Sequence, residues 1–419
     1  MKKQKHLIIG CGSAAVNAAE KIKSFRPEDE IKLVSMEQCD PYSPMSLTYL
    51  MAGRITRPNI CLRDEVFFNK IGAIFLRGKK AVKLDTHAKK VTFDDGDKES
   101  YDKLLIATGS DPVVPNLEGL EEVGFQGFHV LGDMETIQAK IKDKKNILIY
   151  GGGLVAMSLA LALTEMGWEA KVVVRSRILR TYFDEDCGRL VRDIFQEKGC
   201  GIFEGSGGKV IHKRKEGVEL ELENGTIVKA AFPVMCVGVK ARASFLEGSE
   251  VSVNNGVVVN HRMESNVEGV YAAGDVAESP DFYTGSNDLN PIMLSAVDQG
   301  KIAGANMAGE DQEYAGWIPM NTFNFFGNRA VSIGLFDAHG NDIDVLIEKD
   351  DTKKAYKKLV IQDGRLIGAS FLNTPLASGI IQYLIRERID ISDVQNQFIE
   401  QPKEISGWLM LEAERRQAM

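Results

Sequence analysis

The stretch HLIIGCGSAA, residues 6–15, decides the fold of the amino-terminal part of the chain. A short apolar run, which predicts a buried strand, ends at Gly10, and alanines at helical spacing continue to Lys23. A second apolar run, from Ile31 to Val34, ends close to Glu37. This order predicts a strand–turn–helix–strand unit of a parallel sheet.

The small residues of this G-x-G-x-x-A turn each have a mechanical role. Gly10 permits a tight turn, Gly12 lets a pyrophosphate approach the backbone, and Ala15 lets the helix pack closely on the sheet. The helix N-terminus offers free N–H groups to phosphate, and Glu37 can accept hydrogen bonds from a ribose. A plain tight turn is the alternative. The predicted dinucleotide site consists of Gly10, Gly12, Ser13, Ala14, Ala15 and Glu37.

The same unit recurs in mid-chain. Residues 146–150 (NILIY) predict a strand, residues 151–156 (GGGLVA) a turn, residues 154–166 a helix and residues 171–174 the next strand. That strand is followed by RSRILR, residues 175–180, which contains no carboxylate. A guanidinium there suits the 2′-phosphate of NADP(H), whereas a solvated positive patch beside an NAD(H) site is the alternative. The predicted nicotinamide-nucleotide contacts are Gly151, Gly153, Leu154, Val155, Arg175 and Arg180.

Three further predicted strands run into glycine turns. They lie within residues 101–110 (YDKLLIATGS), 234–240 (VMCVGVK) and 270–277 (VYAAGDVA). In the last of them an aspartate follows the glycine directly, where it can accept a hydrogen bond from a sugar-chain hydroxyl. These turns add Thr108, Gly109, Gly238, Gly274 and Asp275 to the predicted nucleotide contacts.

The composition excludes several classes of protein. A length of 419 residues suggests two to three domains, and 44% apolar with 26% charged residues is typical of a globular chain. The net charge of −8 leaves no basic footprint for nucleic acid. No apolar run predicts a membrane span, the apolar stretch before Gly10 is too short for a signal peptide, and the six cysteines lack metal-site spacing. We therefore expect a cytoplasmic protein without a metal site, membrane insertion or nucleic-acid partner.

The stretches GCGSAA, YDKLLIATGSDPVVP, GGGLVA and YAAGDVA, in this order, resemble the two-dinucleotide-domain reductases of the pyridine nucleotide–disulfide oxidoreductase superfamily. The resemblance covers residues 5–310. It implies an α/β fold with two Rossmann-like domains, the second inserted in the first, with FAD on the first glycine turn and NAD(H) or NADP(H) on the second. The implied domains are an FAD-binding domain at residues 1–112 and 246–312, an NAD(P)-binding domain at 113–245, and a C-terminal α+β interface domain at 313–419.

Further elements are predicted after residue 289. Residues 290–296 (NPIMLSA) predict a helix that runs to Met307 with Pro291 in its first turn. The resemblance implies that this helix points its N-terminus at the flavin, which adds Ile292 and Met293 to the FAD site. Alternating apolar segments after Tyr314, at residues 330–335, 358–361 and 366–370, predict a small antiparallel sheet, and a helix is predicted at residues 376–387.

Residues 40–53 (DPYSPMSLTYLMAG) are similar to the flavin-facing loop and helix of ferredoxin-, rubredoxin- and nitrite-reductase-type members. Thiol-dependent members place a redox cysteine in this helix, where the present chain has Met45 and Ser46. The resemblance therefore implies an FAD-dependent NAD(P)H:acceptor oxidoreductase. Hydride would move between the nicotinamide and FAD, and electrons would be exchanged with an external iron–sulfur protein or subunit.

The sequence is also similar to flavoprotein subunits of multi-subunit oxidoreductases, such as phenylglyoxylate dehydrogenase or tungsten aldehyde oxidoreductase. That similarity implies a homo- or hetero-oligomer. It favours NAD(H), whereas the arginines at residues 175–180 favour NADP(H).

Two alternative functions stay open from the sequence. One is a thiol-disulfide reductase or NADH oxidase that uses Cys39, and the other is a redox-sensing flavoprotein that acts as a binding module.

Overall fold

A computed structural model describes residues 2–141 and 146–417, which form two compact units. Unit 1 comprises the described residues of Met1–Val113, His129–Leu131 and Val239–Trp317. Unit 2 comprises those of Val114–Phe128, Gly132–Gly238 and Ile318–Met419. Within the described ranges no helix is both long and apolar enough to cross a lipid bilayer.

The strands are numbered in chain order. They are β1 Lys5–Ile9, β2 Glu30–Val34, β3 Ala73–Leu76, β4 Ala81–Asp85, β5 Lys90–Phe93, β6 Lys98–Ser100, β7 Lys103–Ile106, β8 Ser110–Pro112, β9 Gln126–Gly127, β10 Asn146–Tyr150, β11 Glu169–Val174, β12 Gly201–Glu204, β13 Gly208–Arg214, β14 Gly217–Leu222, β15 Ile227–Ala230, β16 Phe232–Met235, β17 Val239–Ala241, β18 Val257–Val258, β19 Val270–Ala272, β20 Ala277–Pro280, β21 Asn287–Leu289, β22 Met320–Phe325, β23 Asn328–Gly334, β24 Ile343–Asp350, β25 Ala355–Gln362 and β26 Arg365–Leu372.

The helices are numbered in the same way, and two 3₁₀ turns, Pro44–Ser46 and Ser244–Leu246, accompany them. The helices are α1 Ser13–Phe25, α2 Leu47–Met51, α3 Arg57–Ile60, α4 Glu65–Ile71, α5 Leu120–Val123, α6 Leu131–Ile141, α7 Leu154–Glu165, α8 Glu185–Glu197, α9 Met293–Met307, α10 Ser378–Arg386, α11 Gln395–Glu400 and α12 Ile405–Gln417.

Unit 1 is built on a parallel sheet with the strand order β19-β7-β1-β2-β3. Its central strands are apolar on both faces: Ile8, Leu33 and Leu105 are fully buried, as expected for a sheet covered on both sides. Small residues bring α1 and α9 close together, because a Cβ atom at Gly300 would lie 2.3 Å from the Ala14 carbonyl oxygen. Smaller sheets, β4-β5-β6, β8-β17 and β18-β20-β21, complete the unit.

Unit 2 repeats the parallel arrangement in the strand order β12-β11-β10-β16-β9. An antiparallel sheet β13-β14-β15 and a five-stranded antiparallel sheet β22-β23-β26-β25-β24 belong to the same unit. The ring of Phe195, on α8, stacks on Phe323 and Phe325 of β22 at centroid distances of 6.0 and 5.4 Å. The C-terminal sheet therefore shares an apolar core with the second parallel sheet.

The predicted α/β class, with two Rossmann-like sheets and a C-terminal α+β part, is confirmed. The helix predicted at 376–387 is α10, and the segments predicted at 330–335, 358–361 and 366–370 correspond to β23, β25 and β26 of a sheet that also contains β22 and β24. The position predicted for Pro291 is wrong: α9 begins at Met293 with Ile292 as its N-cap residue, so the proline precedes the helix. The assignment of cofactors to the domain ranges stays a prediction.

Candidate nucleotide sites

In unit 1 the predicted residues meet at the carboxyl edge of the parallel sheet. The turn after β1 carries Gly10, Gly12, Ser13, Ala14 and Ala15, and neighbouring strands contribute the others. Glu37 follows β2, Thr108 and Gly109 follow β7, and Gly274 and Asp275 follow β19. Because these strands are parallel neighbours, their carboxyl ends share one edge, which is where open α/β sheets bind ligands.

The two glycines of the first turn meet different constraints. Gly10 has φ +119°, and a Cβ atom there would lie 2.0 Å from the Ala107 carbonyl oxygen. Gly12 has an ordinary φ of −71°, and a Cβ atom there would meet nothing within 4 Å. Gly10 is therefore required by the fold itself, whereas the chain's own packing gives no reason for a glycine at position 12.

The N-terminus of α1 is free to bind an anion. Gly12 is its N-cap residue, no side chain caps the helix, and its first turn holds no acidic residue. The unpaired N–H groups and the positive end of the helix dipole therefore face the open space beside Gly12. This arrangement fits a pyrophosphate group.

Asp275 is a half-buried carboxylate at the same edge. It accepts a hydrogen bond of 3.0 Å from the Ser110 hydroxyl. Burial raises the pKa of the Asp275 carboxyl, while the Ser110 hydrogen bond and the charges of His129 and Arg242 act in the opposite direction. The preceding Gly274 has φ +83° and donates its N–H to Gln299 at 2.8 Å. A carboxylate with spare acceptor capacity in this position fits the hydroxyl of a sugar chain.

Glu37 does not stand alone at the end of β2. Its Oε2 accepts a 2.8 Å hydrogen bond from the Tyr42 hydroxyl, which in turn accepts one from the Leu131 N–H at 2.9 Å. Burial and the neighbouring Glu37 raise the pKa of Tyr42. A cavity of about 340 Å³ opens beside this group and is lined by Gln38, Cys39, Asp40, Tyr42, Arg57, Ile60, Cys61, Arg77 and Leu131. Nothing in the sequence singles out Tyr42, although it lies in the stretch that resembles the flavin-facing loop.

The N-terminus of α9 lies close to the start of α1. A Cβ atom at Gly274 would lie 3.3 Å from the Ala14 Cβ and 3.7 Å from the Ala296 Cβ, so Gly274 is close to the first turns of both helices. The α9 helix has no side-chain cap and no acidic residue in its first turn. Ile292 and Met293, at its start, are thus brought to the predicted FAD site in unit 1.

Unit 2 repeats the glycine geometry. Gly151 has φ +131°, and a Cβ atom there would lie 2.1 Å from the Cys236 carbonyl oxygen. Gly153 is the N-cap residue of α7, without a side-chain cap or an acidic first turn, and its nearest side chain is Tyr182, 3.8 Å from the position of its Cβ. Leu154 and Val155 begin this helix, and Val155 is 48% exposed.

The arginines after β11 have different environments. Arg177 donates to the Phe183 carbonyl at 2.7 Å and to other carbonyls of the same loop at 3.5 Å, so it holds the loop rather than facing water. Arg175 and Arg180 are exposed. Glu204, at the end of β12, accepts the Ile178 N–H at 2.7 Å and fixes the same loop. Arg175 follows β11 and Gly238 follows β16, so both lie at the edge that carries Gly151.

All six cysteines are free thiols. Burial raises the pKa of Cys39, assisted by the nearby Glu37, and it also raises the pKa of Cys11, Cys187, Cys200 and Cys236. A raised pKa keeps a thiol protonated and therefore weakly nucleophilic near neutral pH.

In the part of the chain that the structure describes, no three His, Cys, Asp or Glu residues form a group able to hold a metal ion.

Two family models match this chain. The family model for pyridine nucleotide-disulphide oxidoreductases matches residues 4–300, and that for the rubredoxin NAD+ reductase C-terminal domain matches residues 319–389. The chain is 32% identical over 411 residues to the NADH-dependent phenylglyoxylate dehydrogenase subunit epsilon of Aromatoleum evansii, and the alignment covers 97% of both chains.

Two further similarities concern more distant proteins. The NADH-rubredoxin oxidoreductase of Clostridium acetobutylicum is 28% identical over 336 residues, with 80% of this chain and 82% of that protein covered. The structure of the water-forming NADH oxidase from Lactobacillus brevis, bound to NADH, superposes with a TM-score of 0.85 at 20% identity, covering 94% of this chain and 92% of that one, and it shares the fold. This chain therefore belongs to the pyridine nucleotide-disulphide oxidoreductase family and is an FAD-dependent NAD(P)H oxidoreductase.

Proposed function

We propose that this protein oxidises NAD(P)H and passes the electrons through FAD to an iron–sulfur protein or subunit, without a thiol relay. One observation carries the proposal: the helical segment that holds a redox cysteine in thiol-dependent relatives has Met45 and Ser46 here. The thiol of Cys39, before that segment, has a raised pKa. The electrons therefore need an acceptor outside this chain.

The residues of unit 1 fit FAD. The N–H groups at the start of α1, from Ser13 onwards, would bind the pyrophosphate, and Gly12 leaves room for it. Glu37 would bind a ribose hydroxyl through the oxygen that Tyr42 does not occupy. Asp275 would accept a hydrogen bond from the ribityl chain. Bound FAD supplies the chemistry, since it accepts two electrons as a hydride and can release them singly.

The start of α9 has a separate task. Its uncapped N–H groups, next to Ile292 and Met293, would stabilise negative charge that develops on the reduced cofactor, by about 1 kcal/mol. No acidic side chain of the first turn competes for these donors. The helix would thereby raise the reduction potential of the site.

The residues of unit 2 fit the nicotinamide nucleotide. Gly151 and Gly153 shape the turn, and the start of α7 would bind its pyrophosphate. The exposed guanidinium groups of Arg175 and Arg180 fit a 2′-phosphate, which favours NADPH. The relative from Aromatoleum evansii is named as NADH-dependent. We therefore propose that the protein uses both NADH and NADPH.

The choice of acceptor rests on two kinds of support. The C-terminal domain model that matches residues 319–389 is that of rubredoxin NAD+ reductase, and a relative is named as an NADH-rubredoxin oxidoreductase. The chain also aligns along 97% of its length with a dehydrogenase subunit, the epsilon subunit of phenylglyoxylate dehydrogenase. We infer that the acceptor is a protein with an iron–sulfur or rubredoxin-type iron centre, either free or in a neighbouring subunit of a larger assembly.

Anaerobic reduction of the purified holoprotein tests this function. We expect NADH or NADPH to bleach the flavin absorption band with a stoichiometry close to one, and addition of oxidised rubredoxin or a [2Fe–2S] ferredoxin to restore it. A holoprotein that neither nucleotide bleaches would contradict the proposal.

The thiol-dependent alternative is tested with the substitution Cys39→Ser. We expect unchanged transfer from NAD(P)H to the iron protein, because the Cys39 thiol is protonated and has no role in the transfer. A loss of transfer in this variant, with flavin content unchanged, would favour a thiol-dependent enzyme instead. Slow bleaching and a long-lived charge-transfer band with every acceptor would favour a redox-sensing flavoprotein.

A further inference from the structure

Arg242 holds the segment that follows β7. Its guanidinium donates from Nε to the Asp111 carboxylate at 2.7 Å, from Nη1 to the Thr108 carbonyl at 3.0 Å and from Nη2 to the Ser110 carbonyl at 2.8 Å. The main chain of Arg242 adds two bonds, since its N–H donates to the Gly109 carbonyl at 2.9 Å and its carbonyl accepts from the Thr108 hydroxyl at 2.7 Å. One residue thus fixes four consecutive residues.

The segment that Arg242 holds contacts Asp275 through Ser110. Ser110 is 2% exposed, and its hydroxyl donates to the Asp275 carboxylate at 3.0 Å. Its main chain is fixed on one side by the guanidinium of Arg242 and on the other by the pairing of β8 with β17. The position of the Ser110 hydroxyl, and with it the orientation of the carboxylate, therefore depends on the contacts of Arg242.

We propose that Arg242 is a positioning residue of the flavin site, which sets the Thr108–Asp111 segment and, through the Ser110 hydroxyl, the carboxylate of Asp275. The inference deepens the proposed function and rests on it, because it assumes that Asp275 binds the ribityl chain of FAD. The planar fork of a guanidinium reaches these three acceptors from three different nitrogens in one plane, whereas an ammonium carries its three donors on one nitrogen and a side-chain amide has only two N–H donors. Arg242 thereby prearranges acceptor atoms that would otherwise be ordered only when FAD binds.

The rate of FAD release from the full-length holoprotein tests the proposal, because FAD gains fluorescence when it leaves the protein. We expect Arg242→Gln to release FAD at least about tenfold faster than the wild-type protein, which corresponds to the loss of one charge-assisted contact. Arg242→Lys should fall between the two, since it keeps the charge but not the fork.

Arg26 provides a matched control in the same unit. Its guanidinium also bonds a carboxylate, that of Asp29, and a main-chain carbonyl, that of Lys2. These contacts lie at the amino-terminal end of the sheet, away from the glycine turn. Arg26→Gln should lower the melting temperature without a change in FAD release.

Four results would overturn the inference or separate it from its premise. Release from Arg242→Gln within about twofold of wild type would overturn it, as would equal acceleration in Arg26→Gln. If Arg242→Gln does not fold, Ser110→Ala removes the link to Asp275, and unchanged release there would also overturn it. A wild-type protein that never carries FAD refutes the proposed function instead.

Discussion

In the first glycine turn, the fold requires the glycine at position 10 but not the one at position 12. Gly10 is fixed by its positive φ and by the Ala107 carbonyl, while Gly12 is constrained by nothing in the chain. A glycine that the fold does not need, at an uncapped helix start, indicates a ligand that approaches the backbone. The same comparison separates Gly151 from Gly153 in unit 2.

Alanine substitutions at these two glycines should have opposite consequences. We expect Gly10→Ala to destabilise the protein by about 3 kcal/mol or more, because the new Cβ overlaps a backbone oxygen and φ is unfavourable. Gly12→Ala should leave the melting temperature of the flavin-free protein unchanged and remove FAD from the purified protein. Thermal denaturation and flavin absorbance measure both effects, and normal flavin content in Gly12→Ala would contradict the assignment.

Arg175 should select between the two nicotinamide nucleotides. Its exposed guanidinium fits a 2′-phosphate, and NADH lacks that group. Arg175→Ala should lower kcat/KM for NADPH about tenfold or more and change that for NADH less than about threefold. Arg177→Ala serves as a contrast, since its bonds to loop carbonyls support both nucleotides and its loss should lower both values. Equal losses in Arg175→Ala would argue against a 2′-phosphate contact.

At the level of elements, the sequence predicts the parallel strands well and the first residues of helices less well. Apolar runs and glycine spacing locate β1, α1, β10 and α7, because burial on both faces and a tight turn leave few residue types possible. The sequence also predicts β23, β25, β26 and α10 within a few residues, but it does not identify β22 or β24. Helix starts are less certain: Pro291 suits a first turn, yet α9 begins two residues later.

The contacts that complete the site could not be predicted in the same way. Arg242 lies more than 130 positions from the segment that it holds, and Tyr42 joins Glu37 to the distant Leu131 N–H. The periodic pattern of apolar residues does not predict such contacts, because they depend on which strands become neighbours. Arg177 could equally have faced water until its loop was seen to fold back over it.

The uncapped start of α9 should tune the flavin potential. Leu294 lies in the first turn and is 44% exposed, so a carboxylate is tolerated there. Leu294→Asp should stabilise the helix but lower the reduction potential by about 20 mV, equivalent to about 1 kcal/mol for two electrons. Leu294→Asn is the uncharged control and should shift the potential much less. Equal potentials in both variants would show that α9 does not face the flavin.

At the scale of the whole molecule, each unit contains a buried ionic group with its own consequence for stability. In unit 1, His6 is 1% exposed and its Nε2 lies 2.9 Å from the Asp29 carboxylate. Burial lowers the pKa of His6. The unfolded chain therefore takes up a proton at a higher pH than the folded one, and stability falls as the pH drops below about 6.5.

We expect this histidine to give unit 1 a measurable pH dependence. The melting temperature should decrease between pH 7 and pH 5, because this group lowers the free energy of unfolding by at most about 1.4 kcal/mol per pH unit. His6→Gln should be less stable at pH 7 but should have a flatter profile over the same range. An unchanged slope in the variant would assign the pH dependence to other groups.

In unit 2 a buried cluster joins the second parallel sheet to the C-terminal sheet. Asp184, the N-cap residue of α8, accepts the Tyr356 hydroxyl at 2.5 Å and lies 3.0 Å from the Lys358 ammonium. The side chains of Asp184 and Lys358 are only 9% and 4% exposed. Removal of Asp184 would leave the buried Lys358 ammonium with only the Asp337 carboxylate, which lies 3.5 Å away and is 46% exposed. The charge of Lys358 would then be poorly compensated, which costs more than the pair contributes.

Asp184→Asn should therefore destabilise unit 2 selectively. We expect a loss of about 3 kcal/mol, or about 6–12 °C in the transition of this unit, while the transition of unit 1 and the FAD release rate stay unchanged. The double variant Asp184→Asn with Lys358→Met should recover part of the loss, because it also removes the buried ammonium that Asp184 no longer neutralises. Scanning calorimetry separates the outcomes: a double variant no more stable than the single one would show that Asp184 acts through its cap and the Tyr356 hydroxyl alone.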